Sequence, residues 1–390
     1  MALVSPDNTR SETPPQRPRC ANLDALRVLA ALAVVAVHAT GDPLFQEPAF
    51  SDAWWTGAVY GSLVRWCVPA FLMLSGAFLL GKKGDSPLLC EAPSGPFRQE
   101  GTVPLFSERQ ETAAAFYRRA GSKLIVPTVS WSAFFFLALH FRKGEDAPSL
   151  VEFLLLGHTH LWYLYVLVGL YAVVPALRQL VAALSDREML LLLVVGFVTG
   201  GLYNIQQLWA TGRAGYSIAE WPLYVPYLLL GHYMMQRIAV GRSSTPSTLG
   251  RRETPSCIAG NTAYLVLFAV SCLLLLATLA ACAPLGEVGV CMAQCYMNPL
   301  VVACAIGVFG YFATLDDRCR WTALVAKAAP CALGVYCIHP AVITACKQLG
   351  LDLPHLSPWL SGPLLTISVF LISLVAVLVL RRLPVLRRGV

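Results

Sequence analysis

The chain has 390 residues, 56% of them hydrophobic and only 13% charged, with a mean hydropathy of +0.61. That is about half the charge of a soluble globular domain, and a soluble fold of this length would need far more polar surface. The net charge of +7 is read as a membrane-topology signal, which excludes nucleic-acid binding as its explanation.

Residues 1–20, rich in Pro, Ser, Thr and Arg, are expected to form a disordered cytoplasmic tail. No apolar core precedes residue 23, so this segment does not read as a signal peptide. Ten apolar stretches of membrane-spanning length follow, near 23–41, 59–81, 122–140, 161–177, 188–204, 221–236, 260–282, 296–315, 329–346 and 361–380. The predicted fold is therefore all-α: a polytopic membrane protein of about ten transmembrane helices over 21–382, ending in a basic cytoplasmic tail, 383–390. The segments 82–121 and 237–258 read as cytoplasmic loops. No internal repeat is visible.

Lys and Arg concentrate in cytoplasmic loops. With ten spans and both termini in the cytoplasm, only Arg142, Lys143, Arg213 and Lys347 of the 29 basic residues fall on outer loops. Arg27 and Arg65 lie within spans, and the rest lie on the inner side. The thirteen cysteines match no zinc spacing. Cys282, Cys291 and Cys295 flank an outer loop, where a disulfide among them is one option.

The first span, LDALRVLAALAVVAVHAT, carries Arg27 and His38. Eleven helical residues are almost three turns, so both side chains leave one face, about 16 Å apart along the axis. Ionisable groups within a bilayer usually face a bundle interior or a polar path. Asp24, three residues before Arg27, can pair with it, and a paired Arg27 could equally be a snorkelling anchor. A hydrogen-bonded core histidine is the plain alternative for His38.

In the second span, RWCVPAFLMLSGAFLL, Arg65 is a buried cation expected near the outer leaflet. Pro69 frees a backbone carbonyl, and Ser75 and Gly76 permit close helix packing. The fourth begins HTHLWYLY. His158 and His160, two apart, do not share a helix face and make a poor metal pair; no metal is expected. Trp162, Tyr163 and Tyr165 suit an interfacial aromatic belt. In the ninth, GVYCIHP puts Tyr336 and His339 on one face, with Pro340 loosening the backbone beside them.

These fragments resemble acyltransferase family 3, multispanning membrane enzymes that O-acylate surface carbohydrates and related acceptors. The resemblance rests on LDALRVLAALAVVAVHA, VPAFLMLSGAFLL, HLWYLYVLVGLYAVVP, YLLLGHYM at 227–234 and GVYCIHP, in the family's order. It implies transfer of an acyl group, commonly acetyl from cytoplasmic acetyl-CoA, to a hydroxyl of a glycan or lipid-linked sugar at the inner membrane. It also makes Arg27 and His38 the functional pair and maps the family's Ser-Gly pair onto Ser75 and Gly76, which are expected beside the donor. Ala77 stands where many members have an aromatic residue.

On this reading Arg27 holds CoA phosphates, and His38 acts as general base or as a transiently acylated relay. Arg65 orients the glycan or stabilises the oxyanion, while His160, Tyr336 and His339 contact substrate. A glycan or small-anion transporter using the same buried charges is the competing class.

Overall fold

A computed structural model describes residues 21–81, 112–143, 147–156, 160–211, 218–243, 255–315, 319–353 and 355–383. Both expected tails, most of the two expected cytoplasmic loops, His158 and Arg213 lie outside them. Among the described residues there are helices and no strands. They are α1 (Ala21–Thr40), α2 (Pro43–Gln46), α3 (Asp52–Val64), α4 (Cys67–Leu79), α5 (Ala113–Lys143) and α6 (Leu150–Leu156). Next come α7 (Trp162–Ala183), α8 (Asp186–Thr211), α9 (Val225–Ser243), α10 (Pro255–Cys282) and α11 (Gly286–Ala293). The last four are α12 (Pro299–Thr314), α13 (Arg320–Val325), α14 (Ala332–Gln348) and α15 (Pro358–Leu380). Short 3-10 turns at Ile218–Tyr224, Ala283–Leu285 and Ala326–Cys331 lead into α9, α11 and α14.

Among the described residues, eight segments are long and apolar enough to cross a membrane. The two remaining expected spans fall on α9, of 19 residues, and on the apolar α12, of 16. α7 and α8 run to 22 and 26 residues, longer than the sequence pattern suggested. At the start of α8 a capping box explains the boundary: the Ser185 amide donates to Glu188, and the Glu188 amide returns a bond to Ser185 Oγ.

The expected span 59–81 falls within one membrane-length segment, Asp52–Leu79, which is interrupted between α3 and α4. Pro69 has no N–H to offer the Arg65 carbonyl, which weakens the helix at that turn. The Leu63 carbonyl accepts the Trp66 indole N–H at 2.8 Å. Pro69 then sits in the first turn of α4, where no N–H is required.

α1 lies at the centre, in contact with α3, α4, α12, α13, α14 and α15. Its alanines at 25, 30, 31 and 33 are buried, as are Leu23, Leu26, Val34 and Val35. The outer helices carry the exposed apolar side chains, among them Leu191, Val194, Val198 and Leu202 on α8 and Ile367, Leu371 and Val375 on α15. That arrangement suits a bundle whose outer surface meets lipid, with small residues permitting close approach within. Cys282 and Cys295 carry thiols, so no disulfide links those two.

Candidate active site

Arg27 and His38 leave α1 into two different spaces. Arg27, half-buried, donates to Asp24 at 2.7 Å, with its guanidinium over the Phe78 ring at 5.5 Å. It lines a cavity of about 380 Å³, within the usual range of small-molecule sites. Arg119 and Lys123 of α5 and Arg178 of α7 line the same cavity. Arg178 is held in place by donating to the Leu79 carbonyl at 2.7 Å and by stacking over Phe116 at 4.8 Å. Its wall therefore carries four cations and no carboxylate.

Ser75 lines this cavity while its hydroxyl donates to the Phe71 carbonyl. Gly76 does not line it. That glycine faces α9, where a Cβ would stand 1.8 Å from the Leu228 carbonyl oxygen. Of the expected Ser-Gly pair, one residue therefore meets the cavity and the other sets the helix crossing.

His38 borders a second, much smaller pocket of about 20 Å³, walled by Val34, Val37, Cys67, Val68, Trp162, Tyr296 and Tyr336. This space takes a water or a group of methyl size. Tyr336 belongs to the walls of both cavities, so the cationic chamber and the His38 pocket adjoin at this residue. Its hydroxyl donates to the His160 carbonyl, which anchors the ring across the gap between α14 and the start of α7.

The three expected histidines converge here. The His38 and His339 ring centroids are 5.1 Å apart, and those of His339 and His160 5.5 Å. His339 and His160 are essentially inaccessible to solvent. His339 Nδ1 lies 2.6 Å from the Tyr336 carbonyl. That carbonyl would pair with the amide of residue 340 in a regular helix, but Pro340 has none, and the imidazole takes its place. His160 Nε2 lies 3.1 Å from the Cys337 carbonyl. Among the described residues no group of three or more His, Cys, Asp or Glu side chains could hold a metal ion.

Arg65, at the break between α3 and α4, turns toward the segment after α11. Its Nε donates to the Gln294 carbonyl at 2.6 Å, and its guanidinium lies over Tyr296 at 4.4 Å. Since Tyr296 walls the His38 pocket, Arg65 flanks that pocket through one aromatic ring. Trp162 stacks on Tyr296 with centroids 5.7 Å apart.

Trp162 and Tyr163 are corrections to the sequence reading. Both are buried and line the two cavities, so they do not form an interfacial belt. Tyr165, half-buried, shares a hydrogen bond with Ser132 at 2.8 Å. Sequence reasoning missed Arg119, Lys123, Arg178 and Tyr296 as cavity residues. The basic ones were legible only as topology signals, because cationic loop ends serve both purposes.

These features define a multi-pass membrane protein with a cation-lined cavity next to a smaller pocket at a histidine. A family model described as an acyltransferase domain matches residues 21–379, nearly the whole chain, and the protein belongs to acyltransferase family 3. It is thus a membrane acyltransferase. No curated protein and no solved structure matches it.

Proposed function

We propose that this enzyme moves a short acyl group, acetyl first among them, from cytoplasmic acyl-CoA to a hydroxyl of a surface glycan or lipid-linked sugar. The site is the inner cell membrane, with both termini in the cytoplasm. The observation that carries the reading is the shared Tyr336 wall, since it makes the Arg27 chamber and the His38 pocket adjoining compartments. CoA has phosphates at one end and the thioester at the end of an extended arm, matching cations at one end of the face of α1 and an imidazole at the other. Arg27, with Arg119, Lys123 and Arg178, would hold the phosphates by charge-assisted hydrogen bonds.

At His38 the neutral imidazole takes the proton of the acceptor hydroxyl as its oxygen attacks the thioester carbonyl. The tetrahedral intermediate then collapses with C–S cleavage, and the CoA thiolate leaves with the proton returned by His38. Arg65, flanking the pocket, contributes positive potential where the oxyanion develops. The small volume beside Val34, Val37, Cys67 and Val68 favours a two-carbon acyl group.

Mass spectrometry of surface glycans from cells producing wild-type protein or His38→Ala tests this. The acyl increment is expected with the first and absent with the second, at equal membrane abundance. Full acylation by His38→Ala would defeat the assignment of His38, and no increment with either would defeat the glycan acceptor.

A further inference from the structure

We infer that His339 is the positioning residue for His38: its Nε2 accepts a hydrogen bond from the His38 ring, fixing the tautomer in which the other His38 nitrogen is a bare base. The inference rests on the proposed role of His38 and deepens it.

The argument begins with Pro340. A carbonyl oxygen only accepts, so the 2.6 Å contact between His339 Nδ1 and the Tyr336 carbonyl requires the proton to sit on Nδ1. In the neutral ring this leaves Nε2 as a lone pair. The missing amide of Pro340 leaves the Tyr336 carbonyl open to this contact. The tautomer of His339 is thereby set by the backbone.

Nε2 is buried and has no hydrogen-bond partner, a state that is normally unfavourable by about 1–3 kcal/mol and calls for an explanation. The neighbouring His160 ring has its own Nε2 at the Cys337 carbonyl, and that contact likewise requires the proton there. Its Nδ1 is then a lone pair and cannot donate to His339. The remaining ring neighbour with nitrogen is His38. Two ring nitrogens bonded at about 2.9 Å, each about 1.1 Å from its centroid, put the centroids roughly 5 Å apart. The observed separation is 5.1 Å, with the planes inclined at 42°. The spacing suits the bond and only the ring orientation has to change, as catalytic contacts commonly do once substrates are bound.

The arrangement follows the logic of a base oriented by a third group, with the acidic residue replaced by a neutral imidazole. With its Nδ1 proton engaged by the Tyr336 carbonyl, His339 presents the Nε2 lone pair and stabilises the imidazolium of His38 by accepting its N–H. The acceptor proton resides on the far nitrogen of His38 until the thiolate takes it.

The test compares His339→Gln, His339→Asn and His339→Ala with His38→Ala. Turnover is read as CoA thiol released from acetyl-CoA by washed membranes, which carry their own acceptor, and acetyl-CoA binding is read by thermal shift of the purified protein. Gln can place its carbonyl oxygen where Nε2 stands, whereas Asn reaches only the Nδ1 position and Ala neither. The expected result is a loss of about 100-fold in kcat for Ala and Asn, recovery to within about tenfold for Gln, and an unchanged KM and thermal shift for acetyl-CoA, magnitudes typical of general-base support. Equal losses for Gln and Ala, a loss in donor affinity alone, or full activity of all three overturns the inference. If Ala fails to accumulate, Gln against Asn decides the question. Retained turnover in His38→Ala overturns the role of His38 itself, a separate outcome.

Discussion

Gly76 of α4 and Gly231 of α9 occupy the same helix crossing from opposite sides. A Cβ on Gly76 would stand 1.8 Å from the Leu228 carbonyl oxygen, and one on Gly231 would stand 2.0 Å from that of Met73. Both obstacles are backbone, so neither can rotate away. Without a hydrophobic drive between helices in lipid, such close approach supplies the packing energy.

Gly76→Ala or Gly231→Ala is therefore expected to push α4 from α9, at about 1–3 kcal/mol by the usual cost of overpacking. The double variant should cost less than the sum, because one displacement relieves both clashes. Thermal unfolding in detergent, followed by size-exclusion fluorescence, measures this. Additive losses would mean that the two contacts are independent.

The cationic chamber predicts a donor-specific defect. Arg27→Ala and Arg178→Ala each remove a positioned guanidinium from a wall that holds four cations. Losing one charge-assisted contact, about 1.5–3 kcal/mol, raises KM for acetyl-CoA roughly 10- to 100-fold. Asp24→Asn leaves Arg27 in place and removes only its partner at 2.7 Å, so its effect should be smaller. Titration of CoA binding by calorimetry gives the comparison; equal affinity in wild type and Arg27→Ala would remove Arg27 from the donor site.

Where the sequence was legible, the reason was periodicity or chemistry confined to one helix. The 11-residue spacing put Arg27 and His38 on one face, and Tyr336 and His339 were visible as a pair one turn apart. The α3–α4 break was hidden because the hydropathy of the segment stays high across it with only Arg65 interrupting, and the amide that Pro69 lacks is felt four residues upstream, at the Arg65 carbonyl. Convergence of His160 on His339 joins the start of α7 to the middle of α14, about 180 positions away, as a contact within hydrogen-bond distance of Cys337 confirms. No local pattern encodes such a meeting. The belt reading of Trp162 failed for a related reason, since interfacial and cavity-lining aromatics look alike in one strand of text.

Acyl selectivity should follow the walls of the small pocket. Val37 and Val68 line the pocket with His38, and trimming either to Ala removes about two carbons from its wall. One methylene in a hydrophobic pocket is worth about 1–3 kcal/mol of discrimination. Val68→Ala is accordingly expected to raise kcat/KM for propionyl-CoA over acetyl-CoA by about tenfold. Competition between the two donors, resolved by the mass of the acylated product, reads the ratio; an unchanged ratio would place the acyl chain elsewhere.

Two variants of Tyr336 separate effects that one substitution would confuse. Tyr336→Phe keeps the ring and loses the hydroxyl bond to the His160 carbonyl, at about 1 kcal/mol of stability, the usual net worth of such a bond. Its donor affinity should be unchanged, because the chamber keeps its wall. Tyr336→Ala removes the wall and merges the 380 Å³ chamber with the His38 pocket. Water entering from the chamber then reaches the thioester, and exclusion of water is what prevents hydrolysis of a reactive donor. Purified Tyr336→Ala without any acceptor is thus expected to release CoA thiol several-fold faster than wild type, and this release should vanish in the double variant with His38→Ala. Background release equal to wild type would mean that Tyr336 does not part the two compartments during turnover.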